Sequence, residues 1–298
     1  MIAALTPELQ RRVRRDEPMA KHTSWRVGGP ADLFLVPRDR DDLAAFLRSL
    51  PAALPVYWVG LGSNLLVRDG GIRGAVVCTH GAFTQAERRA QRRVYAEAGV
   101  PCTRLARQCA QWDLGQAEFF AGIPGTLGGA LAMNAGAYGS ETWQFVRSLE
   151  VIGRDGVRGQ RGSAEYQVGY RHVVGPANEE WFLAAELEFG ARSPEQASTV
   201  RDLSERRRQS QPLGEWSCGS VFTNPPGDHA ARLIEAAGLK GARQGGAVVS
   251  DKHANFILNE GGASARDIET LITQVQQTVQ RIFAVTLVPE VRIIGEPA

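Results

Sequence analysis

The chain has 298 residues, 43% of them apolar and 22% charged, and its 34 basic and 32 acidic side chains leave a formal charge of +2. That length carries a sizeable core and suggests two domains, while so even a charge balance excludes a molecule drawn as a whole to nucleic acid or anionic lipid. No apolar run approaches the roughly 18 residues of a membrane helix. The first 15 residues lack a signal-peptide core, and Cys78, Cys102, Cys109 and Cys218 show neither paired nor zinc-type spacing, which reads as a reduced, intracellular protein.

In chain order, residues 5–15 read as a short helix opened by Thr6-Pro7. Residues 31–36 read as a strand and 39–50 as a helix with Leu43, Phe46 and Leu47 on one face. The apolar run 56–59 ends at Gly60, as a buried strand feeding a glycine turn does, and 74–78 reads as another strand. Residues 102–112 place Leu105, Cys109 and Trp112 at helical spacing; 147–152 and 182–189 read as strands. The composition shifts at 190–194, where a domain boundary is placed, before an arginine-rich helix over 198–208. Residues 228–237 read as a helix closed by Gly238, and 248–249 and 256–258 as strands. Residues 264–283 form the clearest helix: Ser264 with Asp267 is an N-cap signature, and the apolar stripe is Ile268, Leu271, Ile272, Val275, Val279, Ile282 and Phe283. A last strand over 291–294 follows Pro289-Glu290. Helices and strands mix without strict alternation, which favours an α+β fold.

Three segments carry chemistry. Gly60-Leu61-Gly62-Ser63-Asn64-Leu65-Leu66-Val67 can turn successive backbone N–H groups inward as an anion cradle. Leucine at 65 breaks the usual dinucleotide fingerprint, and a plain tight turn stands equally open. Gly122-Ile123-Pro124-Gly125-Thr126-Leu127-Gly128-Gly129 runs on to Asn134-Ala135-Gly136-Ala137-Tyr138-Gly139; its small residues allow close backbone approach to a phosphorylated ligand, with Thr126 opening a helix toward it. Glycines kept for packing are the alternative, but two such segments favour a large nucleotide cofactor. Ser217-Cys218-Gly219-Ser220-Val221-Phe222-Thr223-Asn224-Pro225 can hold one hydroxyl beside a backbone bend, and Cys218 there reads as buried packing. The five histidines show no ligand spacing, so no metal is expected. The runs Arg88-Arg89, Arg92-Arg93 and 206–208 have acidic neighbours and read as solvated faces with no nucleic acid bound.

These segments, together with Gly169-Tyr170-Arg171-His172, Val249-Ser250-Asp251-Lys252-His253-Ala254-Asn255-Phe256 and Pro289-Glu290-Val291, resemble the UDP-N-acetylenolpyruvoylglucosamine reductases, the MurB family. They stand in the family's order and cover the chain from about His22 to Gly295. The resemblance, to the compact type II subclass, implies an N-terminal helix over 1–20 and an FAD-binding fold of the vanillyl-alcohol-oxidase type in two lobes over 21–192. A smaller α+β substrate domain over 193–298 follows, its last strand free to return to the first lobe. It also implies non-covalent FAD, NADPH as co-substrate, and a cytoplasmic, monomeric enzyme of peptidoglycan-precursor synthesis that takes a UDP-sugar enol ether and enters no membrane.

Carried over by residue, the resemblance implies Arg171, Ser220 and Glu290 as the catalytic set. Hydride would pass from flavin N5 to C3 of the enolpyruvyl group and a proton to C2. Arg171 is permanently cationic and can fork onto the substrate carboxylate; Ser220 would give the proton; Glu290, kept protonated by a buried setting, would polarise the carboxylate. Cofactor contacts would come from Gly60, Leu61, Gly62, Ser63, Asn64, Leu65, Gly122, Ile123, Pro124, Gly125, Thr126, Gly128, Gly129, Asn134, Ala135, Gly136 and Gly139. Substrate contacts would come from Tyr170, Asn224 and Lys252. Val173 and Thr223 stand where the family often has serine and lysine, and Lys252 or Arg243 would supply the missing cation. An FAD oxidase of the same fold, or a nucleotide-binding module without catalysis, are the rival readings.

Overall fold

The computed structural model describes residues 5–191 and 196–298. Its helices are α1 (Pro7–Arg12), α2 (Arg40–Ser49), α3 (Cys102–Gln111), α4 (Leu127–Met133), α5 (Gln196–Ser210), α6 (Ala230–Ala236) and α7 (Ala265–Phe283). The chain divides into two compact units. One comprises Met1–Arg15, Leu33–Gly60 and Gly74–Glu205, the other Asp16–Asp32, Leu61–Arg73 and Arg206–Ala298. The chain therefore crosses between the units five times, at 15/16, 32/33, 60/61, 73/74 and, inside α5, 205/206. Residues 192–194 of the boundary expected from composition lie outside the described residues.

The first unit has two apolar cores. One gathers Leu9 with Leu43, Phe46 and Leu47 of α2 and with Leu35, Ala75 and Val77, and each fully buried leucine or phenylalanine there contributes roughly 1.5–3 kcal/mol. The strand Val56–Val59 pairs parallel with Ala75–Cys78. α2 starts where Asp39 accepts from the Asp42 amide at 2.8 Å, a side-chain cap for a first-turn donor. The second core packs α3 and α4 on a five-stranded sheet ordered Arg158–Gly162, Val146–Gly153, Glu180–Glu188, Arg93–Glu97, Ala86–Arg88. Arg40 on α2 bridges α2 to this sheet, donating to Glu150 at 2.6 Å, Glu97 at 2.7 Å and the Tyr95 hydroxyl at 2.6 Å. Burial pushes the Tyr95 phenol up to about 12.

One element differs from the sequence reading. α1 ends at Arg12 and the chain continues as the strand Arg14–Pro18. The arginine-rich stretch 86–97 is a strand hairpin on which Arg88, Arg89, Arg92 and Arg93 are exposed, in keeping with the solvated face read from the sequence. Arg88 donates to the Gln91 and Trp112 carbonyls, and Arg89 lies 3.8 Å from the centre of the Tyr95 ring.

The second unit is built on α7. Its core gathers Ile268, Leu271, Ile272, Val275 and Val279 with Leu233, Ile234, Val221, Leu66 and Trp25. The helix start is doubly closed. Ser264 Oγ accepts from the Asp267 amide at 3.0 Å while Asp267 accepts from the Ser264 amide at 2.9 Å, and Asp69 accepts from the amides of Ala265 and Arg266, each at 2.9 Å. Those contacts satisfy the donors that a helix leaves open at its first turn. Ile282, expected in the apolar stripe, is 49% exposed, because the stripe has rotated off the core in the last turn. A three-stranded sheet (Arg243–Gln244, Ala247–Val249, Ile257–Asn259) and a parallel pair, Leu65–Val67 with Arg292–Ile294, complete the unit.

Candidate functional site

In the second unit three of the predicted segments meet. Gly62 takes φ +63, and a Cβ there would lie 2.0 Å from the His22 carbonyl oxygen, so only glycine fits. Ser24 donates to the Gly62 carbonyl at 3.1 Å. Among the described residues the amides of Leu61, Gly62 and Ser63 donate to no backbone carbonyl, which leaves consecutive donors of the kind that line an anion cradle. Asn64, expected as a cofactor contact, has its Nδ2 on the Glu290 carbonyl at 3.0 Å, and its own carbonyl accepts from Arg292 at 3.1 Å. It anchors the carboxylate strand to this loop.

Ser220 stands half-buried between Gly219, at φ +74, and the buried Val221. Among the described residues its hydroxyl has no hydrogen-bond partner. The backbone on either side is fixed, since Val221 donates to the Asn255 carbonyl at 2.8 Å and accepts from the Glu290 amide at 2.7 Å. The Asn255 side chain brackets Phe222, accepting from its amide at 3.0 Å and donating to its carbonyl at 2.8 Å. The structure thus brings Ser220 and Glu290 to one place. The role of Asn255 was not legible, because an asparagine inside a motif does not announce which distant backbone it holds.

Cys218 donates to the Leu65 carbonyl at 3.5 Å, and burial pushes its thiol up to about 12. At neutral pH it is a packed thiol, not a nucleophile. Thr223 makes two contacts to the Val288 carbonyl, from its amide at 2.9 Å and its hydroxyl at 3.2 Å. Asn224 is exposed and its Oδ1 accepts from the Ala230 amide at 3.1 Å, closing the start of α6. Of the two replacement cations, Arg243 pairs with Glu260 at 2.7 Å, whereas Lys252 donates to the neutral Arg208 carbonyl and has no carboxylate partner among the described residues. Burial, and then the charge of Lys240, hold His253 below its usual range.

In the first unit, a Cβ on Gly60 would lie 2.4 Å from the Thr126 hydroxyl oxygen. That oxygen is buried and has no hydrogen-bond partner among the described residues, although Thr126 stands at the start of α4. A buried hydroxyl without a partner costs free energy until something bonds to it. The other glycines divide. A Cβ on Gly122 would lie 2.6 Å from Ala137 Cβ, on Gly136 2.6 Å from the Ser140 carbonyl and on Gly128 3.0 Å from Ala98 Cβ, so these three serve packing. Gly129 meets only the Thr126 hydroxyl, at 4.0 Å, and Gly139 meets nothing. In the second unit the open amides at 61–63, and in the first the partnerless Thr126 hydroxyl facing a glycine, each suit a polar group of a nucleotide.

Arg171 sits in the two-residue turn of a hairpin, between the paired residues Gly169 and His172. Its φ is +55. The second central position of such a turn ordinarily holds glycine or asparagine, and a residue with a Cβ there carries roughly 1–3 kcal/mol of strain. The guanidinium donates to the carbonyls of Asn134 and Gly136, each at 3.2 Å, and lies 5.0 Å from the ring centre of Tyr170, which is 54% exposed. Asn134, expected as a cofactor contact, has both Nδ2 hydrogens engaged by Glu141 and Gly169.

The family described as UDP-N-acetylenolpyruvoylglucosamine reductase, C-terminal domain, matches residues 211–294, and the FAD binding domain family matches residues 31–158. The UDP-N-acetylenolpyruvoylglucosamine reductase of Alkalilimnicola ehrlichii is 60% identical over 286 residues, 95% of each chain. That of Methylococcus capsulatus is 57% identical over 281 residues, 94% of this chain and 92% of the relative. The crystal structure of the Thermus caldophilus reductase (MurB) superposes with a TM-score of 0.81 at 31% identity, covering 95% of this chain and 98% of that one. The α+β fold with an FAD-binding domain expected from the sequence is therefore present, and the chain belongs to the UDP-N-acetylenolpyruvoylglucosamine reductase family.

Proposed function

We propose that this chain reduces UDP-N-acetylenolpyruvoylglucosamine to UDP-N-acetylmuramate for peptidoglycan synthesis, with FAD as resident cofactor and NADPH as the source of electrons. Bound FAD supplies the hydride for the enolpyruvyl double bond. The amides of Leu61, Gly62 and Ser63 in one unit, and the hydroxyl of Thr126 in the other, are each proposed as contacts to its polar groups. The FAD-binding role falls to residues 21–192 and the substrate role to 193–298, a division supported by family matches over 31–158 and 211–294.

The chain's own residues act on the other partner. Arg171 forks onto the substrate carboxylate and balances the negative charge that builds as C3 is reduced. Ser220 gives its hydroxyl proton to C2 and is reprotonated from water. Glu290 bears on the same carboxylate from the strand bridged to Val221. Tyr170, Asn224 through its Nδ2 and Lys252 contact the remainder of the substrate. The observation that carries this reading is the Ser220 hydroxyl, free of any partner among the described residues on a backbone held from both sides. Among the described residues no helix is long and apolar enough to cross a membrane. The reading takes the enzyme to be a cytoplasmic monomer, and a nucleotide-sugar substrate with NADPH supports the cytoplasm.

The visible spectrum of the purified protein tests the proposal. NADPH should bleach the flavin bands under anaerobic conditions, and the enolpyruvyl substrate should restore them. A colourless protein that takes up no flavin, or bands that NADPH bleaches and this substrate leaves bleached, would reject it.

A further inference from the structure

Asn134 combines features that a cofactor ligand does not need. It is 2% exposed, stands at the C-terminal cap of α4 and has φ +42. Its Nδ2 donates to Glu141 Oε2 at 2.9 Å and to the Gly169 carbonyl at 3.1 Å, and its Oδ1 accepts from the Trp143 amide at 3.1 Å. An amide nitrogen has two hydrogens, so no donor is left for a ligand. Its own carbonyl accepts from Arg171 Nη1 at 3.2 Å.

Two of these contacts, to the Gly169 carbonyl and from Arg171, reach the hairpin that carries Arg171, while Glu141 and Trp143 hold the amide from the segment that follows α4. Gly169 opens the turn in which Arg171 takes its left-handed conformation, and Asn134 holds the Gly169 carbonyl from one side and the guanidinium from the other. The left-handed backbone at 134 turns its carbonyl out of the helix direction; asparagine is among the few residues that visit this conformation readily. Asn134 and Arg171 are thus two left-handed residues tied by reciprocal contacts, side chain to turn and carbonyl to guanidinium.

We propose that Asn134 is a positioning residue for Arg171 rather than a ligand of the cofactor. It fixes the angle at which the guanidinium fork meets the substrate carboxylate. This rests on the reading above that Arg171 grips that carboxylate.

Two variants test it, read by flavin content, circular dichroism and steady-state kinetics with NADPH and the enolpyruvyl substrate. Asn134→Gly accepts the backbone conformation and removes the amide. Asn134→Asp keeps the size and the acceptor for Trp143 but loses both donors, and it serves where the glycine variant does not fold. Each should retain its flavin while kcat falls by at least about tenfold, since a small misplacement of a reacting group costs that much. Combined with Arg171→Ala, either should lower kcat by no more than about twofold beyond Arg171→Ala alone, because two residues acting as a unit are not additive. Loss of flavin, full additivity with Arg171→Ala, or wild-type kcat in the Asn134 variants would each overturn the proposal. Wild-type turnover in Arg171→Ala itself would instead remove the arginine from the reaction, and with it the need for any residue to position it.

Discussion

Glu290 and Val221 are joined main chain to main chain, the Glu290 amide donating to the Val221 carbonyl at 2.7 Å. The residue before that carbonyl is Ser220, so one hydrogen bond ties the proposed proton donor to the proposed carboxyl partner. Neither can move without the other, and Asn255 fixes the opposite side.

Ser220→Ala should therefore separate the two half-reactions. Reduction of the flavin by NADPH should persist, while its reoxidation by the enolpyruvyl substrate should slow by more than about a hundredfold, the usual scale of a lost proton donor. Stopped-flow absorbance reads both. Equal losses in the two half-reactions would take Ser220 out of the donor role.

Arg171→Lys keeps the charge and loses the planar fork, a substitution that is not conservative at such a site. Turnover should fall, with the loss in kcat rather than only in KM if the contact strengthens as negative charge develops. Lysine also removes the guanidinium donors of both the Asn134 and the Gly136 carbonyl. A variant with wild-type turnover would confine the arginine to a structural role.

Thr126→Val should act in opposite directions with and without cofactor. In the FAD-free protein it removes a buried hydroxyl that has no partner, and an apolar group of the same shape should raise stability by about 1 kcal/mol. With FAD bound, the same change should weaken affinity, so the rise in Tm on adding FAD should shrink. Thermal melts with and without FAD decide it; an unchanged rise would mean that the hydroxyl meets nothing in the loaded enzyme.

Asp267 is held below its ordinary value of 3.8, first by the backbone amide of Ser264 and then by the Ser264 hydroxyl. A carboxylate with a depressed folded pKa contributes stability above its unfolded pKa and loses it as pH falls through the folded one. Asp267→Asn should then be less stable than the wild type at neutral pH, and the gap should close below pH 3.8. Denaturant melts across that range give the gap directly. A difference independent of pH would mean that the carboxylate charge contributes nothing to the cap.

What was legible in the sequence follows the range of the interaction concerned. α7 could be read because its start signal, Ser264 with Asp267, and its apolar repeat are both local. The second half of its closure, Asp69, could not, since the aspartate stands 196 positions from Ala265. The start of α4 at Thr126 could be read, but a stretch of glycine and alanine carries no amphipathic period to show that it ends at Met133, and the hairpin over 86–97 was not read because its strands are short and exposed. For the proposed site, the order of the motifs is what points to Arg171, Ser220 and Glu290. Nothing local distinguished packing glycines such as Gly122 from Gly60, or showed that the Asn134 amide is fully engaged within the protein. Those distinctions depend on neighbours far away in the chain.

The second unit is assembled from three separated stretches, and this bears on how the protein is made. Leu66, fully buried in that core, leaves the ribosome long before α7 and the strand Arg292–Ile294 that cover it. The nascent chain consequently carries unpaired segments at 16–32 and 61–73 while the other unit condenses around its own cores. Completion of the unit waits on the final stretch of synthesis, so a message truncated before that strand should yield a product prone to clumping or proteolysis rather than a smaller working enzyme.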